Sequence, residues 1–162
     1  MRRILLISFF VFIFFIFEFF LFNFFGRSVM PNLLLILIVF FNLSFGIRYS
    51  LLTAFLAGIL KDSFSAGPFG MYAASFMSAA FMSTVFKKYV YSRGSHGSWL
   101  LLVSLVSLAN IFIQWVIQLR LGSNICVYDI LRFILLPEVI STMVIAHFIF
   151  YPLKKCVLKL YE

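Results

Sequence analysis

Charge is what this sequence has least of. Only 11% of its residues are Asp, Glu, Lys or Arg, and five acidic residues stand against thirteen basic ones, where a soluble domain carries about 25% charged residues. A water-facing surface cannot be built from so few, so the bulk of the chain is not a soluble domain. The two cysteines, Cys126 and Cys156, and the two histidines, His96 and His147, lie far apart in sequence, with no metal-ligand spacing and no redox pair. No serine, histidine and acid set stands at matching depths, and no glycine-rich phosphate loop falls in an aqueous segment. Composition therefore argues against an enzyme and names no cofactor. The net charge of +8 does not argue for nucleic acid either, because Lys and Arg are scattered at the flanks of apolar runs instead of forming a stripe.

What the chain has in abundance is apolar mass: 64% apolar residues, 24 phenylalanines and a mean hydropathy of +1.13 over 162 residues. It belongs in a lipid bilayer, and its length accommodates five or six spans of roughly 20 residues with almost nothing left over. The expected fold is all-α, a polytopic bundle of six transmembrane helices forming one domain over residues 1–162. The first span, Ile4 to Phe25, exceeds the roughly 7 to 15 residues of a signal-peptide core and has no cleavage site after it, so it reads as a retained helix. The second, Leu33 to Phe45, would be only about 20 Å long against a hydrocarbon core of about 30 Å. A span that short belongs inside a bundle, where protein covers it. The third runs from Tyr49 to Lys61, the fourth from Pro68 to Phe86, the fifth from Trp99 to Leu119 and the last from Leu131 to Leu153.

Small and polar residues within these spans mark candidate contact faces. Ala54 with Gly58, Ala74 with Ser78, Ser75 with Ala79, and Ala79 with Ser83 are small residues four apart, which lets another helix come close. Ser107, Asn110, Gln114 and Gln118 form a polar stripe on the fifth span, expected to turn inward and hydrogen-bond. Two carboxylates fall inside spans. Glu18 calls for a partner such as Arg27 or Arg132, and Glu138 shares a face with Ser141 and Thr142 near the start of the last span, while His147 lies opposite.

The densest punctuation lies between Pro31 and Gly70. Pro31 and Asn32 open an apolar run, Asn42, Ser44, Gly46 and Arg48 interrupt it, and Gly58 and Asp62 follow one helical turn apart on the same face. Ser65, Gly67 and Pro68 then end the helix, with Pro68 suited to the first position of the next. Asp62 at the mouth of an apolar hairpin is expected to accept hydrogen bonds from backbone donors of the Ser65 to Gly70 turn. Pro31, Asn32, the basic turn at Arg48, Gly58, Asp62, Gly67 and Gly70, in that order, resemble the rod shape-determining protein MreD of bacteria, with Lys61 standing as an extra charge beside Asp62. Length, helix pattern and basic C-terminus resemble that family too.

The resemblance implies a non-enzymatic component of the machinery for lateral cell-wall growth. Such a component binds the bitopic membrane protein MreC and, with it, the peptidoglycan polymerase and transpeptidase pair linked to MreB filaments. It also implies a fold similar to the substrate-binding components of energy-coupling-factor transporters, which supplies an alternative: a small-molecule, vitamin-binding transporter subunit. A third reading is a membrane-embedded enzyme using Asp62 and Glu138. Orientation follows from charge. With six spans, nine basic residues (Arg2, Arg3, Arg48, Lys87, Lys88, Arg93, Lys154, Lys155, Lys159) share one side and Arg27, Lys61, Arg120 and Arg132 the other, so both termini are expected in the cytoplasm of a bacterial inner membrane. Tyr89, Tyr91, Trp99, Tyr151 and Tyr161 would form an aromatic belt at that face. Gly58 and Ala79 are expected to lie in a groove open to a partner helix.

Overall fold

The computed structural model describes residues 2–25, 31–65, 67–90, 96–120 and 136–159. Six helices lie within them: α1 (Arg2–Phe25), α2 (Leu33–Phe45), α3 (Ile47–Phe64), α4 (Met71–Val90), α5 (His96–Arg120) and α6 (Leu136–Lys159). No strand lies among the described residues. Ile4–Phe24 and Gly97–Arg120 are long and apolar enough to cross a bilayer, and Leu33–Phe45 and Pro137–Leu153 are shorter apolar helices.

The short helix organises the rest. Asn32 caps its start, its side-chain oxygen accepting from the Leu35 N–H at 3.2 Å, a contact typically worth about 1 kcal/mol. The run that follows is uniformly apolar, and every residue from Pro31 through Asn42 is buried. α2 packs against each of the other five helices. Those five form an incomplete ring around it: α1 on α3, α3 on α4, α4 on α5 and α5 on α6. A helix of about 20 Å cannot span the hydrocarbon alone, and enclosure by its neighbours removes the need.

α2 and α3 meet at a tighter joint than the sequence predicts. Asn42 and Ser44 remain helical in α2, Arg48 belongs to α3, and the turn is Gly46 alone, at φ +87°. Its N–H donates to the Asn42 carbonyl at 3.1 Å and its own carbonyl accepts from Ser50 N–H at 3.3 Å. Positive φ at a one-residue joint is a conformation that glycine adopts at little cost.

Other boundaries also move. α4 begins at Met71, not at Pro68, whose carbonyl instead accepts from the Met71 N–H at 3.3 Å. Gly70, at φ +96°, swings the chain into the helix. Lys87 and Lys88 are in the last turn of α4, past the expected end at Phe86, and Gly97 lies in the first turn of α5, ahead of the expected start at Trp99. α6 runs through Pro152 to Lys159, past the predicted end at Leu153. Residues 131–135, with Arg132, lie outside the described residues, as do Arg27, Arg93, Tyr91, Tyr161 and Cys126.

Aromatic stacking closes the core at one end. Trp99 lies 4.3 Å from Phe150, ring centre to centre, at an interplanar angle of 11°, and Phe150 packs edge-on to Phe40. Trp99 is therefore buried and not part of an interfacial belt, whereas Tyr89 and Tyr151 are exposed. Phe10 and Phe14 of α1 line the same cavity as Pro152 and Leu153 of α6. The start of α1 and the end of α6 thus lie at one end of the bundle.

Candidate functional site

The polar residues that the sequence singles out gather mainly at helix ends, where backbone N–H and C=O groups lack intrahelical partners. Asp62, buried in α3, accepts from the Tyr72 N–H at 2.9 Å and the Ala73 N–H at 3.0 Å, one donor on each carboxylate oxygen. Its donors are therefore the first turn of α4 and not the Ser65 to Gly70 turn. Gly58, one helical turn earlier, faces the same place, and a Cβ there would collide with the backbone Cα and N of Ala73. The pair works as one contact. The glycine lets α4 close in, and the carboxylate receives its exposed donors and its positive end.

Glu18 performs the same office for α2. Its carboxylate accepts from the Leu34 N–H at 3.1 Å and pairs with Lys61 of α3. Lys61 also lies over the rings of Tyr72 and Phe76, 5.1 and 5.5 Å from their centres. This partner is neither Arg27 nor Arg132. The signal that pointed to it was the extra charge at position 61 in an otherwise apolar span, but 43 residues separate the two.

Asn32 ties the start of α2 to α6. Its backbone N–H donates to Thr142 Oγ1 at 3.1 Å and its side-chain amide to Glu138 Oε1 at 3.3 Å. Glu18, Lys61 and Glu138 lie within electrostatic reach of one another, so three elements meet around the N-terminal end of α2. At its other end the Asn42 amide donates to the Ala80 carbonyl at 3.0 Å and to Thr84 Oγ1 at 2.8 Å. The Lys87 ammonium donates to the carbonyls of Asn42 and Leu43, a cation where a helix C-terminus favours one. The sequence marks Asn42 only as a polar interruption of an apolar run and Thr142 only by the face it shares with Glu138, and nothing in it marks Thr84 or Lys87 as partners of Asn42 at this helix end.

The small-residue faces point mostly inward. Ala54, Ser75, Ala79 and Ser83 are buried, Ser78 is half-buried and bonds to the Ala74 and Ser75 carbonyls of its own helix, and only Ala74 is exposed. Gly58 and Ala79 are therefore closed against this chain's own helices, and the expected open groove for a partner is not there. On the polar stripe, Gln114 donates to Ser75 Oγ at 3.4 Å and Ser107 to the Val103 carbonyl of its own helix at 2.9 Å. Gln118 lies one turn further along, half-buried. Asn110 is fully buried, and among the described residues neither its amide nitrogen nor its oxygen has a hydrogen-bond partner. His147 is exposed and stacks on Trp99 with 6.2 Å between ring centres. Of the other predicted motif residues, Pro31 is buried beside Asn32, and Gly67 and Pro68 are exposed on the connection to α4.

Two cavities lie between α1 and α6. The larger, about 480 Å³, includes Phe10, Phe14, Leu33, Ile149 and Leu153 in its lining, and the smaller, about 370 Å³, Pro31, Pro137 and Ser141. Among the described residues no three metal-ligating side chains gather. Glu18, Asp62, Glu138, Lys61 and Lys87 instead take part in the contacts that hold helix ends together.

A family model described as rod shape-determining protein MreD matches residues 1–160. The chain belongs to the MreD family. No curated protein and no solved structure matches it. As an MreD-family protein it is a polytopic membrane component of the elongation complex that determines rod shape, and it is not an enzyme. Of the residues that carry the resemblance, Asn32, Gly58 and Asp62 seat α2 and α4.

Proposed function

We propose that this MreD-family chain is a single transmembrane domain of a bacterial inner membrane, with both termini cytoplasmic, that acts by holding an MreC-like single-span protein through lateral helix contact. Through that partner it supports the peptidoglycan polymerase and transpeptidase pair and their link to MreB filaments. One observation carries the reading: the buried acids Glu18 and Asp62 and the amide of Asn32 all accept from backbone N–H groups at helix starts. They serve architecture, which leaves an apolar outer surface as the means of action. Phe12 of α1, Phe112 of α5 and Phe148 of α6 stand on that surface. In lipid, such faces associate by close packing more than by apolar burial, since lipid tails are as apolar as leucine.

The test is purification from rod-shaped bacteria in mild detergent, with photo-crosslinking side chains at positions 12, 112 and 148. The expected result is a crosslink to a single-span membrane protein from at least one position, together with cell rounding on depletion. Stoichiometric retention of a vitamin-like small molecule, with no membrane-protein partner recovered, would replace this reading by the transporter subunit.

A further inference from the structure

α4 and α5 meet along a face of small and polar residues that recur at every fourth position. On α4 these are Ser75, Ala79 and Ser83, all buried. On α5 they are Asn110, fully buried, with Gln114 and Gln118, both half-buried. Residues four apart on a helix lie one above the other, so each set forms a column. The bond from Gln114 to Ser75 at 3.4 Å joins the last third of α5 to the first turns of α4. The two helices therefore run antiparallel, and this bond fixes their register. Counting one turn along each brings Asn110 level with Ala79, whose methyl group offers it no hydrogen bond, and a further turn brings Ser83 level with Val106.

That register leaves polar atoms over. Among the described residues, the amide nitrogen and oxygen of Asn110 and the hydroxyl of Ser83 are buried with no hydrogen-bond partner, and such groups are costly in an apolar surrounding. One displacement repairs both. When α5 steps one turn toward the C-terminal end of α4, Asn110 comes level with Ser83 and Gln118 with Ser75, while Gln114 meets the small Ala79. A step in the opposite direction sets Leu102 against Ser83 and leaves that hydroxyl as it was. The cost falls near the start of α5, where Trp99 is drawn off Phe150, 4.3 Å from it in the present stack.

We propose that α5 has two registers on α4, about 5.4 Å or one helical turn apart: the one described, and one in which Asn110 bonds to Ser83 and Gln118 to Ser75. Packed helices change arrangement in discrete steps, one-turn ratchets among them, because interdigitated side chains do not pack at intermediate positions. Ser75, Ala79 and Ser83 are small enough to let the polar column pass. The stack of Trp99 on Phe150 holds the present register, and the bond between Asn110 and Ser83 holds the other. The step carries the exposed face of α5, Phe112 included, lengthwise past α4. It depends on the buried seam alone and not on the identity of any partner.

The test is disulfide formation in native membranes between paired cysteines in the full chain, after replacement of Cys126 and Cys156. Phe86→Cys with Val103→Cys is level in the described register, and Phe86→Cys with Ser107→Cys in the shifted one. Ala79→Cys with Val106→Cys is level only after a step the other way. A disulfide needs Cα atoms about 4.4 to 6.8 Å apart, so a displacement of one turn tells the three pairs apart. The first two are expected to close and the third to stay open. Asn110→Leu and, separately, Ser83→Ala should abolish the disulfide between 86 and 107 and leave the one between 86 and 103. Gln114→Leu, which removes the bond of the described register, should raise the 86 to 107 product about threefold. Absence of that product in the otherwise unaltered chain overturns the proposal. So does its persistence in both Asn110→Leu and Ser83→Ala, and so does closure of the third pair, which would mean a loose helix without defined registers. Thermal unfolding identifies any variant that fails to fold, and Ser83→Ala, the loss of one oxygen, decides the matter if Asn110→Leu does.

Discussion

Glu18 of α1 and Lys61 of α3 form an ion pair in the interior, with side chains 6% and 15% exposed, and the same glutamate caps α2. Three helices are joined by one carboxylate. Removing one member of a buried pair typically costs about 3 to 5 kcal/mol, because the other charge is left without compensation. Lys61→Met should therefore lower the midpoint of thermal unfolding in detergent sharply. Adding Glu18→Gln should recover part of the loss, since Gln keeps an acceptor for the Leu34 N–H and removes the stranded charge. A double variant no better than Lys61→Met alone would show that the two residues are not coupled.

Gly58 and Gly67 are expected to separate cleanly. A methyl group at 58 meets the Ala73 backbone, whereas at 67 the nearest atom is the Ser65 hydroxyl at 3.3 Å on an exposed turn. Gly58→Ala should cost about 1 to 3 kcal/mol by forcing α3 from α4 and reduce the amount of protein in the membrane. Gly67→Ala should leave it near wild type. Because position 58 is internal, Gly58→Leu should lose the fold and not merely a partner, which quantitative immunoblotting of membranes distinguishes from a selective loss of co-purification.

Asp62→Ala removes both acceptors from the first turn of α4. Hydrogen bonds to a charged group contribute about 1.5 to 3 kcal/mol, so protein level and cell-shape function should fall together. Asp62→Asn, which keeps one acceptor oxygen, should lie between wild type and Ala. Full accumulation of an inactive Asp62→Ala protein would reject the capping account in favour of a direct functional role.

Asn110 offers a prediction of opposite sign. A buried polar side chain without a partner costs about 1 to 3 kcal/mol, and leucine has the same branched skeleton of heavy atoms. Asn110→Leu should raise the unfolding midpoint, or leave it unchanged, while Gln114→Leu, which loses the bond to Ser75, should lower it slightly, by about 0.6 kcal/mol. A large destabilisation by Asn110→Leu would reveal a hydrogen-bonded partner at that position, such as a buried water.

Membrane orientation is tested by single cysteines in whole cells, after replacement of Cys126 and Cys156. An impermeant thiol reagent should label position 124 and spare position 95. The reverse pattern would invert the topology.

How much of this was legible in the chain itself varies by kind of information. The apolar runs determined that the protein lives in a membrane, where the six helices among the described residues lie, and that the Leu33 to Phe45 helix is too short to face lipid, because span length and punctuation by Pro, Gly and Asn are local properties. Gly58 and Asp62 were legible as a pair for the same reason, lying one turn apart on one helix. Tertiary structure alone decided which partners they meet. Asp62 finds its donors at Tyr72 and Ala73, Glu18 finds Lys61 43 residues away, and Asn32 finds Thr142 across 110 residues. The physical cause is the solvent. In water, a helix shows its inner face by its apolar stripe, but here the outside is as apolar as the core. α1 turns Ile7, Val11 and Glu18 inward and Phe9, Phe12 and Phe20 outward, and no hydrophobic pattern separates those two sets. Periodicity thus told where the helices are, and only packing told which way they face.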